Sequence, residues 1–127
     1  MDKNKILVVD DEIEFLEIVK TRLEANGHTV VTATSGEEAL QKVKVERPDA
    51  ILMDVTMPGI NGLDVLKKIR QEDKRLPIFI MTAFSSEEKS SLANVLDASG
   101  FILKTDDLQK EVENIGAAIR IAEKYKK

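Results

Sequence analysis

Apolar residues are arranged in two different patterns along this chain. Short apolar runs, each bounded by polar residues, alternate with longer segments in which apolar residues recur every three or four positions. The longer segments predict amphipathic helices, one after each short run. The short runs predict buried parallel strands at Lys5–Val9, Thr29–Ala33, Asp49–Met53, Ile78–Met81 and Phe101–Leu103.

Capping and turn residues mark the ends of the first two predicted helices. The first helix is predicted over Glu12–Asn26, and Gly27 is suited to the position just after its last turn. Ser35 and Glu38 have the spacing of a capping box, which predicts the start of the second helix. Pro48 predicts that this helix ends before it, because proline disfavours a helical conformation in the preceding residue.

The remaining helices are predicted from their apolar spacing and capping signals. The third is expected to turn Leu63, Leu66 and Ile69 towards the core. A fourth helix is expected after Ser85 and a fifth from about Asp106. Five strand–helix units with right-handed crossovers predict a doubly wound α/β fold with helices on both faces of a parallel sheet. For this sheet we predict the flavodoxin-like strand order 2-1-3-4-5 in a single domain spanning residues 1–127.

Composition excludes several classes of function. The net charge of −4 argues against nucleic-acid binding by the domain itself. The absence of cysteine excludes disulfides and thiolate metal sites, and a single histidine excludes a histidine metal cluster. No apolar run reaches the length of a membrane span and no signal-peptide pattern is present, so the expected location is the cytoplasm, away from membranes.

Reactive polar side chains follow four of the predicted strands. Asp10 and Asp11 follow the first, Asp54 the third, Thr82 the fourth and Lys104 the fifth. Because ligands of open α/β sheets bind beyond the carboxyl ends of the strands, these side chains are expected to converge. Three neighbouring carboxylates repel one another, and a divalent cation relieves that repulsion. Oxygen ligands without thiolate or imidazole favour Mg²⁺, with Mn²⁺ as a second option.

The same set of side chains predicts phosphoryl transfer. A carboxylate can accept a phosphoryl group and become an aspartyl phosphate, and Asp54 would end a central strand of the predicted sheet. The metal ion, the Lys104 ammonium and the Thr82 hydroxyl could each hold one phosphoryl oxygen. Taken singly, Asp10 and Asp11 could cap a helix, and the other residues could be ordinary turn, strand-end and surface residues. Their shared position at one end of four strands favours the phosphoryl-transfer hypothesis.

The chain resembles the receiver domain of two-component response regulators. The resemblance lies in Lys5–Glu12, Met53–Gly62, Met81–Ala83 and Gly100–Lys104, in that order and at the spacing of the family. It implies that Asp54 accepts a phosphoryl group from the phosphohistidine of a sensor histidine kinase or a phosphotransfer protein. The protein would then catalyse only its own phosphorylation and dephosphorylation, and would not otherwise be an enzyme.

The resemblance also implies how the site is assembled and how it signals. Asp10, Asp11, Asp54 and the backbone carbonyl of Thr56 would hold Mg²⁺, and Lys104 would complete the catalytic set with Thr82. Thr82 and Phe101 would fill the switch positions, and Thr56 and Phe84 would be modulating residues. Phe84 would lie where the family tunes the lifetime of the phosphoryl group, and the alternative for Phe84 is an aromatic side chain that packs locally in its loop. The face formed by the fourth helix, fifth strand and fifth helix would then control a partner protein, an attached output domain or a homodimer.

One departure from the family pattern concerns a peptide bond beside the site. The family commonly has proline after its lysine, often with a cis bond, whereas this chain has Thr105. A cis bond before a residue other than proline costs about 2.5–4 kcal/mol, so the Lys104–Thr105 bond is predicted to be trans.

Two other functions share part of this chemistry or topology. A phosphatase of the haloacid dehalogenase type also uses an aspartate nucleophile and Mg²⁺, but it needs a second aspartate two residues later, where this chain has Thr56. A flavin-binding module of the same topology would need a loop that cradles phosphate after the first strand. Asp10, Asp11 and Glu12 would repel a phosphate there.

Overall fold

The predicted sheet is present in the structure. A computed structural model describes residues 5–54, 62–82 and 100–103. These residues form a five-stranded parallel sheet of order β2-β1-β3-β4-β5, which confirms the flavodoxin-like prediction. In chain order the elements are β1 (Lys5–Val9), α1 (Ile13–Ala25), β2 (Thr29–Ala33), α2 (Gly36–Glu46), β3 (Ala50–Asp54), α3 (Gly62–Glu72), β4 (Ile78–Thr82) and β5 (Gly100–Leu103).

Some of the sequence predictions fall outside the described residues. These are the fourth and fifth helices, the side chains of Thr56, Phe84 and Lys104, and the Lys104–Thr105 bond. Where the strands are described, β1 and β2 match the prediction residue for residue. The third strand is one residue later than predicted, because the ladder with β4 pairs Asp54 with Met81. Asp54 therefore lies at the end of a central strand, as predicted, and is itself part of the ladder with β4.

The sheet separates two apolar cores, and alternate residues of β1 face each one. Ile6 and Val8 belong to the core under α1, whereas Leu7 and Val9 belong to the core under α2 and α3. All four side chains are fully buried, as expected for a strand with helices on both faces. The first core takes its helix residues from α1: Phe15, Leu16, Val19 and Leu23. The second takes them from α2 and α3: Ala39, Val65, Leu66 and Ile69.

Helix α3 differs in part from its predicted inward face. Leu66 and Ile69 are buried as predicted, and so is Val65, which the sequence prediction did not include. The side chain of Leu63 lies outside the described part of the chain. The prediction used only positions three residues apart. Val65 lies four residues before Ile69, on the same side of the helix, so the buried stripe is wider than predicted.

The capping box at the start of α2 is confirmed, with one change of partner. The Ser35 hydroxyl accepts a hydrogen bond from the Glu38 amide at 3.2 Å. In return, Glu38 Oε1 accepts from the backbone N–H of Thr34 at 2.8 Å. The usual reciprocal bond goes to the N–H of the capping residue itself, so here the carboxylate reaches one residue further back.

Two of the helix ends that the structure describes, those of α1 and α2, use the left-handed backbone region, and they use it differently. At the end of α1, Gly27 has φ 93°, and the amides of Gly27 and His28 donate to the carbonyls of Glu24 and Leu23. This is a Schellman motif, and it confirms the role predicted for Gly27. At the end of α2, Arg47 adopts φ 49° without being glycine, which places a strained residue directly before Pro48.

Candidate functional site

Two aspartates lie at the carboxyl ends of adjacent strands, at the same level of the sheet. In the β1–β3 ladder Val9 pairs with Met53, so Asp10 and Asp54 are the next residues on each side. Neighbouring strands lie about 4.8 Å apart, which brings the two side chains within contact range without any contribution from loops. Asp10 is fully buried and Asp54 is 6% exposed. The strand register therefore places two buried carboxylates side by side, as the sequence predicted.

Asp11 completes the cluster from the loop before α1. One carboxylate oxygen of each of Asp10, Asp11 and Asp54 lies within 4.8 Å of the others. Unlike the other two, Asp11 is exposed. We call these three residues the acidic cluster. It has a closed side, formed by the two buried aspartates, and a side that is open to solvent at Asp11.

Backbone and side-chain hydrogen bonds fix Asp10 at this position. Its amide donates to the carbonyl of Ala33 at 3.1 Å, which carries the β1–β2 ladder one step beyond Val9. Its Oδ1 accepts from the amide of Glu12 at 2.9 Å. The carboxylate thus joins the end of β1 to the start of α1. Sequence reasoning missed the contribution of Ala33, because a backbone carbonyl gives no signal in residue type.

The helix-capping alternative for Asp10 and Asp11 is not what the structure shows. The capping position of α1 is occupied by Glu12, whose side chain makes no capping hydrogen bond. A capping side chain accepts from the second or third amide inside the helix, whereas Asp10 accepts from the amide of Glu12 itself. The acidic cluster therefore accompanies a helix start without serving as its cap.

Electrostatic repulsion within the acidic cluster is large on the scale of single interactions. Two unit charges separated by about 4.8 Å repel by about 3 kcal/mol at an effective dielectric constant of about 20. A typical hydrogen bond contributes about 1 kcal/mol to stability, so this repulsion is larger than the gain from a single bond such as that between Asp10 and the Glu12 amide. The cluster is a place where a positive charge would be strongly stabilising.

The residues present fit a hard divalent cation. Their donors are carboxylate oxygens, which suit Mg²⁺ or Mn²⁺. Mg²⁺ requires ligands at about 2.0–2.1 Å and usually retains several water molecules. The exposed Asp11 side of the cluster allows water to remain, and small side-chain movements would bring the three oxygens to the required distance.

The other predicted site residues can be placed only in part. Thr82 is the last residue of β4, one position beyond Met81, which pairs with Asp54. Its backbone is therefore at the same edge of the sheet as the acidic cluster. Phe101 lies in β5 and pairs with Ile80. Thr56, Phe84 and Lys104 lie outside the described residues, although Lys104 directly follows β5 in the sequence.

The helices that the structure describes include none that could cross a membrane, because none is both long and apolar enough.

Comparison with known proteins gives one consistent family. The family described as "Response regulator receiver domain" matches residues 6–115. The chain is 37% identical over 119 residues to the alkaline phosphatase synthesis transcriptional regulatory protein PhoP of Bacillus subtilis, covering 94% of this chain and 50% of that protein. It is 34% identical over 116 residues to the response regulator MprA of Mycobacterium ulcerans, covering 91% of this chain and 50% of that protein. The chain thus spans about half the length of these curated relatives.

Solved structures of similar fold agree with this result. The chemotaxis response regulator CheY4 of Vibrio cholerae superposes with a TM-score of 0.83 at 31% identity, covering 92% of this chain and 99% of that one. A CheY-like receiver domain protein of Methanospirillum hungatei superposes with a TM-score of 0.83 at 26% identity, covering 98% of this chain and all of that one.

Proposed function

Because this chain belongs to the family of response regulator receiver domains, which act in two-component signalling, we propose that Asp54 is its phosphoryl acceptor. The observation that carries the assignment is the position of Asp54 in the acidic cluster. It ends β3, which pairs with β1 on one side and with β4 on the other, and Asp54 itself pairs with Met81 of β4. Asp54 as a residue nevertheless retains slight exposure, whereas Asp10 has none.

Asp10 and Asp11 have a different role in this proposal. Asp10 is fully buried, and one of its oxygens is engaged by the Glu12 amide, so it is poorly placed to attack an incoming phosphorus atom. Asp11 is exposed and lies in a loop, where its position is less firmly fixed. Both are suited to bind Mg²⁺ beside Asp54, with the carbonyl of Thr56 as the further ligand implied by the family pattern. The bound ion would offset the negative charges of the carboxylates and of the phosphoryl oxygens.

The proposed reaction transfers one phosphoryl group between two proteins. An Asp54 carboxylate oxygen attacks the phosphorus of a phosphohistidine in line with the phosphorus–nitrogen bond. A phosphorus–oxygen bond forms, the phosphorus–nitrogen bond breaks, and the imidazole leaves with its electron pair and takes up a proton. Thr82 and Lys104 would each bind a phosphoryl oxygen. Hydrolysis of the resulting aspartyl phosphate restores Asp54, so the domain catalyses only its own phosphorylation and dephosphorylation.

The partners proposed for this domain follow from the same reaction. A sensor histidine kinase or a histidine phosphotransfer protein supplies the phosphoryl group. Phosphorylation of Asp54 would draw the Thr82 hydroxyl inward and allow Phe101 to change rotamer, which would alter the face around β5. That face would then control an output domain, a separate partner or a phosphorylation-dependent homodimer.

Intact-mass spectrometry tests the assignment directly. Incubation of the protein with Mg²⁺ and a small acyl phosphate should add one phosphoryl group, and omission of the divalent ion should prevent the addition. Asp54→Asn should abolish it while the circular dichroism spectrum stays unchanged. Asp64→Asn is the matched control, since Asp64 is an exposed aspartate in the first turn of α3, and it should be modified like the original protein. Continued modification of the Asp54→Asn protein would overturn the assignment.

A further inference from the structure

Strand β2 is the edge strand on one side of the sheet that the described residues form. The carbonyl of Ala33 points towards β1, because it accepts from the amide of Asp10. In a strand the N–H and C=O of one residue point the same way, and successive residues alternate. The backbone groups of Val30 and Thr32 therefore point away from the sheet. An edge of this kind is a template on which another strand can pair.

Two side chains of α2 occupy the outward backbone groups near the end of β2. Lys42 Nζ donates to the carbonyl of Thr32 at 3.0 Å. Glu38 Oε1 accepts from the amide of Thr34 at 2.8 Å and from its hydroxyl at 3.2 Å. Glu38 and Lys42 are four residues apart on the helix, and their charged atoms approach to 3.9 Å. One helix thus supplies a donor and an acceptor to the same stretch of edge.

This donor and acceptor match what a neighbouring strand would supply. In a parallel pair, one residue of the added strand donates its N–H to the carbonyl of residue i and accepts from the N–H of residue i+2. Thr32 and Thr34 have that spacing, with the Lys42 ammonium in place of the N–H and the Glu38 carboxylate in place of the C=O. We propose that Glu38 and Lys42 form an edge plug, which closes β2 against pairing with β2 of a second copy of this chain.

The composition of β2 identifies a second copy as the partner that the edge plug excludes. The strand reads Thr-Val-Val-Thr-Ala, so four of its five residues are β-branched, and it contains no charge or proline. Such segments pair readily with themselves. Antiparallel pairing about a two-fold axis through Thr32 would use the outward groups of Thr32 and would set Val30 opposite Thr34 of the other copy. The plug occupies both the carbonyl of Thr32 and the amide of Thr34, so it blocks this arrangement.

The edge plug adds little to the stability of the fold. The Lys42 and Glu38 side chains are 33% and 40% exposed, and exposed ion pairs contribute little. Loss of the plug should therefore change self-association far more than it changes unfolding. That separation distinguishes a plug from an ordinary stabilising contact.

Sedimentation of three lysine variants tests the proposal. Lys42→Met removes the donor while keeping the length of the side chain, and its weight-average mass should rise towards that of a dimer as concentration increases. Lys42→Arg keeps a donor and should stay monomeric at the same concentrations. Lys44→Met removes the same charge from an exposed position of the same helix and should also stay monomeric. A monomeric Lys42→Met protein at every concentration would overturn the proposal.

Amide hydrogen exchange shows whether any association uses the β2 edge. The N–H of Thr32 points outward, so pairing of two β2 strands should slow its exchange by about ten-fold or more in concentrated Lys42→Met protein, relative to Lys44→Met. Association through unfolded protein would instead speed its exchange, because β2 would leave the sheet. Faster or unchanged exchange of the Thr32 amide in an associated sample would reject the edge as the site of pairing.

Discussion

Charged groups are arranged in opposite ways at the two ends of β1. At the amino end, the Lys5 amide donates to Asp49 Oδ2 at 2.8 Å, and the Lys5 ammonium lies 3.2 Å from Glu46 Oε1. The Asp49 amide completes the arrangement by donating to the Lys5 carbonyl at 2.7 Å. At the carboxyl end, five residues later, Asp10 lies against two further carboxylates in the acidic cluster. One end pairs opposite charges, and the other concentrates like charges.

This difference separates a stabilising end of the sheet from a functional one. Carboxylates that accept backbone hydrogen bonds or face an ammonium lower the free energy of the folded state. Carboxylates held against one another raise it, and such an arrangement persists only where the surrounding structure enforces it. Here two buried strands enforce it, because Asp10 and Asp54 follow paired residues of β1 and β3. The fold therefore gathers three carboxylates at the end where a cation and a phosphoryl group are proposed to bind.

The largest expected effect is stabilisation by Mg²⁺ at the carboxyl end. A ligand at about 100 times its dissociation constant stabilises the folded state by about 2.7 kcal/mol if it does not bind the unfolded chain. Urea unfolding with and without Mg²⁺ should show an increase of this size. Asp10→Asn should lose most of it, whereas Asp49→Asn, at the other end of β1, should keep it. An equal Mg²⁺ effect in the Asp10→Asn protein would contradict the proposed ligand set.

A somewhat smaller effect on stability is expected from removing the hydrogen bond to Asp49 at the amino end of β1. Asp49→Ala removes the acceptor of the Lys5 amide, and an amide left without a partner costs about 1–2 kcal/mol. The free energy of unfolding should fall by this amount in urea titrations. Asp49→Asn keeps a carbonyl oxygen in the same place and should lose clearly less. Equal losses in the two variants would mean that charge, rather than the hydrogen bond, is what matters at Asp49.

The smallest expected effect has the opposite sign. Without Mg²⁺, Asp10→Asn should raise the free energy of unfolding by about 1 kcal/mol, because it relieves repulsion while its side-chain oxygen can still accept from the Glu12 amide. Added NaCl should stabilise the original protein more than the variant, since salt screens the repulsion that the variant lacks. A destabilised Asp10→Asn protein with unchanged dependence on salt would show that the repulsion is already relieved in the folded state.

The acidic cluster at the carboxyl end of β1 could be predicted from sequence, and the contacts at the amino end of β1 could not. Parallel strands bring their carboxyl ends to one edge, so acidic residues after apolar runs predict a cluster without knowledge of exact register. The contact between Lys5 and Asp49 joins residues 44 positions apart and depends on the precise register of β1 and β3. Nothing in the local sequence distinguishes Asp49 from an ordinary residue after a proline.

Local backbone conformation was predicted where one residue type determines it. Gly27 takes a positive φ because glycine has no side chain to oppose it, and that position was predicted. Arg47 takes a positive φ against its own preference, because α2 must end and the chain must enter β3 through Pro48. Tertiary constraints of this kind leave no mark on residue type.

Because the side chains of β1 alternate between the two cores, the length of this strand determines where the Asp10 carboxylate lies. Its four buried residues, Ile6 to Val9, point in turn to the two cores, and the next residue is Asp10. Inserting a single residue into β1 would exchange the two sets of side chains between cores and displace the carboxylate by about 3.3 Å along the sheet. Changes of residue type within β1 alter packing by degrees, whereas a change of its length would misplace both cores and the acidic cluster at once. The number of residues from Ile6 to Asp10 must therefore stay the same if both cores and the acidic cluster are to form.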